Sequence, residues 1–352
     1  MAAGTTPARH VSRLRILGRV VFLAVMAFAF YGLAPRLLDM WDQVPELRTV
    51  SIYWFVAILI CEVGSYACAW DLTRIALPRV SWFVAATAQL TSNAVAKVVP
   101  GGAAIGAATG FRMLSVSGID KGSAGAALTA TSIISNGVLL CLPMVALFLS
   151  ILGAPIPDGM IHVAWGGAVL AVVLFGFAFS LVRFDRPIHW FAKTITTVAG
   201  WINKRRGQSG GPTVEGIVRQ RDQMVSSLGA RWRAALLAAV GNWLLDYFAL
   251  VCALKACGVD PRLSLVLLAY AVAAVLGMIP ITPGGVGFVE AGLTAMLVLA
   301  GVPSEKALLA VLAYRIASYW LPLPAGLGAH FVFRHRYGKK SAVSETDAAP
   351  SS

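Results

Sequence analysis

Several apolar runs of about 20 residues, almost free of charge, cover most of this 352-residue chain. A run of that length can cross the hydrocarbon core of a bilayer as a helix, and a repeated series of them is typical of membrane proteins. The chain is 58% hydrophobic and 13% charged, which is far more apolar than a soluble domain. The sequence therefore predicts an all-α polytopic membrane protein with six to eight spanning helices.

The tripeptide Pro-Gly-Gly interrupts these apolar runs twice, at residues 100–102 and 283–285. Proline ends an incoming helix because it lacks an N–H group, and glycine tolerates positive φ and a close backbone approach. Backbone groups at membrane depth must be buried in protein or face a wet cavity. We therefore expect two broken or re-entrant helix hairpins whose turns lie within the protein.

The two tripeptides belong to a longer internal match. When the chain is shifted by 183 positions, 12 of the 36 residues from 100 to 135 recur without a gap. Such self-similarity indicates an internal duplication. We assign repeat A to residues 51–152 and repeat B to residues 233–332, separated by one helix and a basic connection at 183–232.

The basic residues predict how the chain is oriented. Of its 29 Lys and Arg, 22 fall in segments that a crossing count places on one side, including residues 1–15, 183–232 and 333–352. Positive charge marks the cytoplasmic side, so the net charge of +13 reflects orientation rather than binding of nucleic acid. The same count makes the two hairpins enter from opposite faces, as inverted repeats of transporters do.

The helix starts after the two breaks are candidate anion sites, because free N–H groups and the helix dipole favour negative charge there. Charged residues close to the breaks are the other candidates, since charge at membrane depth is costly and usually functional. The predicted substrate-binding residues are Lys97, Gly101, Gly102, Arg112, Gly284, Gly285, Glu290 and Arg315.

Several of these candidates could instead have purely structural roles. Glu290 falls in the first turn after the second break and could instead form a structural ion pair with Arg315, whereas the equivalent position in repeat A is Ala107. Arg112 could extend to the cytoplasmic interface. Glu62 and Asp246 occupy nearly equivalent places in the two repeats and are candidates for ion or proton coupling, or for helix registration by a buried hydrogen bond.

Residues 282–291, with residues 93–112 around the first break, resemble the transmembrane, flippase-like region of bacterial lysylphosphatidylglycerol synthases and their stand-alone relatives. The resemblance extends over residues 16–332, and the run at 103–107 departs from it by being less polar. In the synthases an aminoacyl transferase domain follows this region. The resemblance therefore implies a multi-pass protein of the bacterial plasma membrane, with both termini cytoplasmic, that moves phospholipid without aminoacylating it.

These observations predict a lipid flippase or scramblase for an anionic or aminoacylated phospholipid, or a lipid-linked substrate, rather than an enzyme. No P-loop pattern occurs in the sequence, so transport would be downhill, ion-coupled or driven by a partner. The five cysteines have no metal-site spacing, and we expect neither a metal nor a cofactor. Two alternatives stay open: an integral membrane transferase on a lipid-linked substrate, and a non-catalytic partner of a separate lipid-modifying enzyme.

Overall fold

The computed structural model describes residues 52–99, 102–153, 158–206, 213–278 and 282–346. Every regular element within these ranges is helical, which confirms the predicted all-α class. The predicted first helix at 16–34, Gly101, and the last six residues lie outside the described residues.

Four helices form the described part of repeat A. Ser81 caps the second of them by accepting a hydrogen bond from Val84 N at 3.3 Å, and Asp120 caps the fourth by accepting one from Ser123 N at 3.0 Å. The four helices are α1 (Ile52–Ala76), α2 (Trp82–Val98), α3 (Gly102–Val116) and α4 (Lys121–Gly153).

Repeat B begins with α8 (Trp232–Ala256), α9 (Leu263–Gly277) and a 3₁₀ turn at Pro283–Gly285, followed by α10 (Phe288–Leu299), α11 (Ser304–Arg315), a π turn at Ile316–Trp320 and α12 (Pro322–Thr346). α9 ends earlier than the predicted residue 281. Gly277 is a poor helix former, and Pro280 disfavours helix at the residue before it. The last helix continues beyond the predicted residue 332.

Three further helices lie between the repeats: α5 (Asp158–Arg183), α6 (Asp185–Arg206) and α7 (Val214–Leu228). We predicted α5 as an apolar helix but expected a polar connection over most of the next two. Ile188 and Ala192 of α6 are buried while Trp190 is exposed, so α6 is amphipathic. Helices of this kind lie along membrane surfaces or on other helices, which suits the basic segment.

Four helical segments of the described chain are long and apolar enough to cross a membrane: Tyr53–Ala76, Lys121–Leu149, Trp232–Ala256 and Ser304–Tyr337. Shorter apolar helices accompany them, among them α9 and α10. Large apolar side chains lie on outer surfaces, such as Leu237 with 72% of its surface exposed. A lipid environment accounts for such exposure, and the protein is a multi-pass membrane protein.

The helix ends repeat at the predicted offset. α3 and α10 end at Val116 and Leu299, and α4 and α11 begin at Lys121 and Ser304, both pairs 183 positions apart. The continuous helix α4 thus corresponds to α11, the π turn and α12 together. The sequence match and the helix boundaries therefore give the same alignment of the repeats.

The first helices of the two repeats, α1 and α8, pack closely and run antiparallel. Gly64 faces Leu245, while Cys68, one turn later on α1, faces Gly241, four residues earlier on α8. A two-fold axis that relates antiparallel helices must be perpendicular to them. The contact between α1 and α8 therefore has the geometry that inverted repeats require.

Each hairpin packs on the long helix of the other repeat. The arms α2 and α3 lie on α12, where Thr91 donates a hydrogen bond to the Gly326 carbonyl at 3.3 Å, and α9 lies on α4 in the corresponding way. Small residues allow this approach, because a Cβ on Gly326 would lie 2.4 Å from the Leu90 carbonyl oxygen. The two repeats are thus interlocked rather than adjacent.

Candidate functional site

The turn of the second hairpin requires glycine at three positions. Gly284, Gly285 and Gly287 have φ values of 60°, 71° and 82°, a region that residues with a Cβ rarely adopt. Gly284 also has no room for a side chain, since a Cβ there would lie 2.3 Å from the Tyr319 hydroxyl and 2.9 Å from the Lys97 carbonyl oxygen. The turn of one repeat therefore lies against the end of α2 in the other.

Glu290 closes the start of α10 and binds Arg315. Its Oε2 accepts a hydrogen bond from Gly287 N at 2.8 Å, and its Oε1 accepts one from Arg315 Nε at 2.7 Å. Arg315 Nη2 also donates to the Gly284 carbonyl at 3.4 Å. Glu290 is buried, with 7% of its surface exposed. This is the ion pair that the sequence analysis gave as the alternative to a direct ligand role.

Lys97, at the end of α2, extends towards the π turn of repeat B. Its Nζ donates to the Ser318 carbonyl at 2.7 Å and lies 5.0 Å from the centre of the Tyr319 ring. In a π turn each backbone N–H bonds to the carbonyl five residues earlier instead of four. Here Leu321 N donates a hydrogen bond to the Ile316 carbonyl at 2.9 Å. Local irregularity of this kind can leave a carbonyl free for a side chain.

The Tyr319 ring lies beside two cations from different repeats. Arg315 Cζ is 4.5 Å from the ring centre, and Lys97 Nζ is 5.0 Å from it. The Tyr319 hydroxyl in turn donates to the Lys97 carbonyl at 3.1 Å. The face of an aromatic ring attracts cations, so Tyr319 holds both side chains near the break without neutralising either charge.

These groups line a cavity of about 760 Å³ between the repeats, within the size range of pockets that hold small ligands. Ala103, Ser132 and Met278 are exposed lining residues, so the cavity reaches the surface of the protein. Its wall is rich in polar side chains from both repeats: Ser65, Thr73, Gln89, Ser92, Asn93, Thr131, Ser135, Asn136 and Asn242.

A second charged cluster in the cavity is acidic. Glu62 on α1 and Asp246 on α8 lie within interaction range of each other, where the two antiparallel helices cross. Tyr314 donates to both Asp246 oxygens at 3.0 Å, and Tyr270 donates to Asp246 Oδ2. The cavity therefore has a basic part at the breaks and an acidic part at the crossing.

The structure brings most of the predicted site residues to this cavity, but not all of them. Lys97, Gly102, Gly284, Gly285, Arg315, Glu62 and Asp246 line it. Glu290 does not, and reaches the cavity through Arg315. Arg112 lies exposed on α3 and is absent from the lining. Gly101 lies outside the described residues.

Three tyrosines that bind the charged groups of the cavity were not among the predicted site residues: Tyr270, Tyr314 and Tyr319. A signal was present, because a tyrosine in a buried apolar helix needs a partner for its hydroxyl. The partner could not be named, since Tyr314 and Asp246 are 68 positions apart in the chain and Tyr319 and Lys97 are 222 apart.

Comparison with known proteins gives one family. Residues 15–326 match the profile of the lysylphosphatidylglycerol synthase TM region. Two proteins of Methanothermobacter thermautotrophicus, each described as a UPF0104 membrane protein, are 32% identical over 102 and 106 residues. These alignments cover 29% and 30% of this chain and 28% and 30% of the relatives, so the chain matches less than a third of the length of either relative.

Proposed function

Because the chain belongs to the family of the lysylphosphatidylglycerol synthase transmembrane region, we propose that it moves a phospholipid with an anionic head group between the two leaflets. The cavity between the interlocked repeats is the passage for the head group, and the acyl chains stay in the membrane. The assignment to a flippase or scramblase agrees with the resemblance drawn from the sequence.

The observation that carries this proposal is the state of Lys97. It is a cation at a helix break inside the membrane domain, it lines the cavity, and no ion pair joins it to a carboxylate of the described residues. The Ser318 carbonyl and the Tyr319 ring hold the ammonium group without neutralising its charge, so it can bind an anion that enters the cavity. With Arg315 beside the same aromatic ring, it supplies the charge-assisted hydrogen bonds that a lipid phosphate accepts.

The expected orientation follows the charge of the connecting segment. The segment from α5 to α8 carries ten basic residues between Arg183 and Arg233, and basic segments remain on the cytoplasmic side. We infer that α6 and α7 lie at the inner leaflet of the plasma membrane, where anionic lipid attracts them. Accessibility of a cysteine introduced at Gly216, probed with an impermeant reagent, tests this orientation.

The direct test is lipid exchange in liposomes that contain the purified protein and a fluorescent phosphatidylglycerol. Wild-type protein should expose inner-leaflet lipid to an external quencher, and Lys97→Gln should slow this exchange at least tenfold. Arg112→Gln is the matched control, since it removes a cation of the first hairpin that lies outside the cavity, and it should keep the wild-type rate.

The outcomes separate the competing functions. Equal slowing by both substitutions would contradict the assignment of Lys97 to the passage. Absence of exchange by wild-type protein would contradict the proposed function. If exchange then appeared on adding a lipid-modifying enzyme, the role as its non-catalytic partner would replace it, and covalent change of the lipid would indicate a transferase.

A further inference from the structure

The acidic part of the cavity is not explained by binding of an anionic head group. Glu62 has 5% of its surface exposed, lines the cavity, and its Oε1 has no hydrogen-bond partner among the described residues. Asp246 faces it from the other repeat. Two carboxylates beside the passage would repel an anionic head group, so their presence requires a separate explanation.

The two carboxyl groups have different surroundings. Asp246 accepts hydrogen bonds from the hydroxyls of Tyr270 and Tyr314, so both of its oxygens are satisfied as those of a carboxylate. Glu62 receives no such donor on Oε1. Asp246 is therefore fully hydrogen-bonded, whereas Glu62 keeps a buried oxygen that has no hydrogen-bond partner among the described residues.

Two neighbouring carboxylates in a buried site repel each other strongly, and such pairs commonly retain one proton between them. Charged and titratable groups surround this pair on several of the helices packed against it. They are Cys61 and Tyr66 on α1, Lys97 on α2, Cys252 on α8, Tyr270 on α9, and Tyr314 and Arg315 on α11, with Glu290 behind Arg315.

The groups around the pair favour a proton over a metal ion. Hard cations bind where several oxygen atoms accept the ion at once. Here the phenol hydroxyls direct their hydrogen atoms at Asp246, so they act as donors. Within the described residues no group of three His, Cys, Asp or Glu side chains could hold a metal ion. A single proton needs one oxygen without a hydrogen-bond partner, which Glu62 provides.

We propose that Glu62 and Asp246 together bind one exchangeable proton, and that uptake and release of this proton are coupled to passage of the anionic head group. The inference rests on the proposed function and names its energy source. In the step, hydronium from water gives a proton to Glu62, an O–H bond forms, and water is released; the reverse transfer returns the proton on the other side.

The coupling is electrostatic. Proton uptake removes one negative charge from the cavity, which raises the affinity of Lys97 and Arg315 for a phosphate. By linkage, the bound phosphate raises the affinity of the pair for the proton by the same factor. Proton and head group therefore enter together and leave together, and a proton gradient drives the lipid.

The first test is infrared titration of the purified protein in detergent, which does not depend on transport. The wild type should show a protonated carboxyl band at neutral pH that disappears in alkali, and Glu62→Gln should lack it. Glu305→Gln, which changes an exposed carboxylate at the start of α11, should keep it. Absence of a neutral-pH band that depends on Glu62 or Asp246 would overturn the proposal.

The second test uses proteoliposomes with a pH-sensitive dye inside and fluorescent phosphatidylglycerol in the membrane. An imposed proton gradient should accelerate lipid exchange by wild-type protein severalfold, and lipid movement should change the internal pH. Exchange that ignores the gradient would overturn the coupling and leave the proposed function standing. No exchange under any gradient would overturn the proposed function, and the infrared result would still decide the proton site.

Two further arms exclude other occupants of the acidic part. Acceleration by a sodium gradient at constant pH would overturn the proposal in favour of a metal ion. Loss of the carboxyl band on adding phosphatidylethanolamine, but not phosphatidylglycerol, would overturn it in favour of a head-group ammonium. Because the gradient and lipid arms use wild-type protein, they remain informative even if Glu62→Gln fails to fold.

Discussion

The two helix hairpins share a tripeptide but are held together by different forces. In the first, α2 and α3 meet through small residues: a Cβ on Gly102 would lie 2.0 Å from the Ala96 carbonyl oxygen, and one on Gly106 would lie 2.6 Å from that of Ser92. In the second, Glu290 and Arg315 hold the turn through hydrogen bonds. Duplicated sequence thus diverged into one hairpin held by packing and another held by charge.

The difference between the hairpins also determines which cation is available to a ligand in the cavity. The first hairpin contributes Lys97, which lines the cavity and forms no direct ion pair with a carboxylate of the described chain. The second contributes Glu290, which binds Arg315 of α11 at 2.7 Å and so commits most of that charge. In the proposed function, the head group therefore binds the cation of the first hairpin, while the ion pair at the second hairpin holds the turn in place.

The largest expected effect comes from removing the carboxylate of the second hairpin. Glu290→Ala leaves the half-buried Arg315 without its carboxylate partner and the start of α10 uncapped, which should cost about 3–5 kcal/mol. Thermal unfolding followed by size-exclusion chromatography would show the loss. The control is Glu305→Ala, an exposed carboxylate on α11. A Glu290→Ala protein of normal stability that has lost lipid exchange would instead make Glu290 a direct ligand.

The turn of the second hairpin gives the next effect. Gly284→Ala adds a Cβ at φ 60° that meets the Tyr319 hydroxyl, whereas Gly287→Ala has φ 82° and nothing within 4 Å. Both variants should lose roughly 1–2 kcal/mol of stability because of the left-handed backbone. Gly284→Ala should lose more because of the contact with Tyr319. Melting temperatures of the two variants measure the difference. Equal losses would mean that the close approach contributes nothing.

The packed hairpin should respond to volume alone. Gly106→Ala places a methyl group 2.8 Å from the Ala96 Cβ and forces α2 and α3 apart, with an expected loss of about 1–3 kcal/mol. Gly137→Ala on α4 has nothing within 4 Å and should be neutral or slightly stabilising. Thermal stability is the measurement again, and a harmless Gly106→Ala would contradict the packing account.

The smallest effect concerns the helix that follows each hairpin. Asp120 caps α4, while the equivalent position before α11 is Pro303, which has no capping side chain. The hydrogen bond from Ser123 N lowers the pKa of Asp120 below its ordinary value. The stabilisation relative to Asp120→Asn is therefore full above the ordinary pKa and is lost as pH falls through the lowered one. A difference between the two proteins that persists in strong acid would contradict this.

Local patterns in the sequence were enough to predict the helices whose ends are marked by capping residues, proline or glycine. The predicted range 82–98 is the observed α2, because Ser81 caps its start and the Pro-Gly-Gly sequence follows its end. The helices α6 and α7 were missed, although Ile188, Phe191, Ala192 and Ile195 have helical spacing. High charge concealed this pattern, since the polar faces of both helices dominate their composition.

The candidate site was predictable as a set of charges but not as a geometry. Lys97 and Arg315 were identified from their position near the breaks, and their meeting at Tyr319 depends on contacts more than 200 residues apart in the chain. Pro322 lacks the N–H that would bond the Ser318 carbonyl four residues earlier, so the sequence signals a free carbonyl there, but it does not show that Lys97 meets that carbonyl. These contacts depend on packing between residues that are far apart in the chain, and such packing cannot be predicted from the local patterns of a single sequence.

The interlocking of the repeats also constrains how the protein is made. Lys97 bonds to Ser318, which the ribosome adds 221 residues later. The face of α2 that packs on α12 therefore stays uncovered in the nascent chain until translation reaches α12. Insertion factors that shelter unfinished hairpins should matter more for this protein than for one whose helices pair with their neighbours in order.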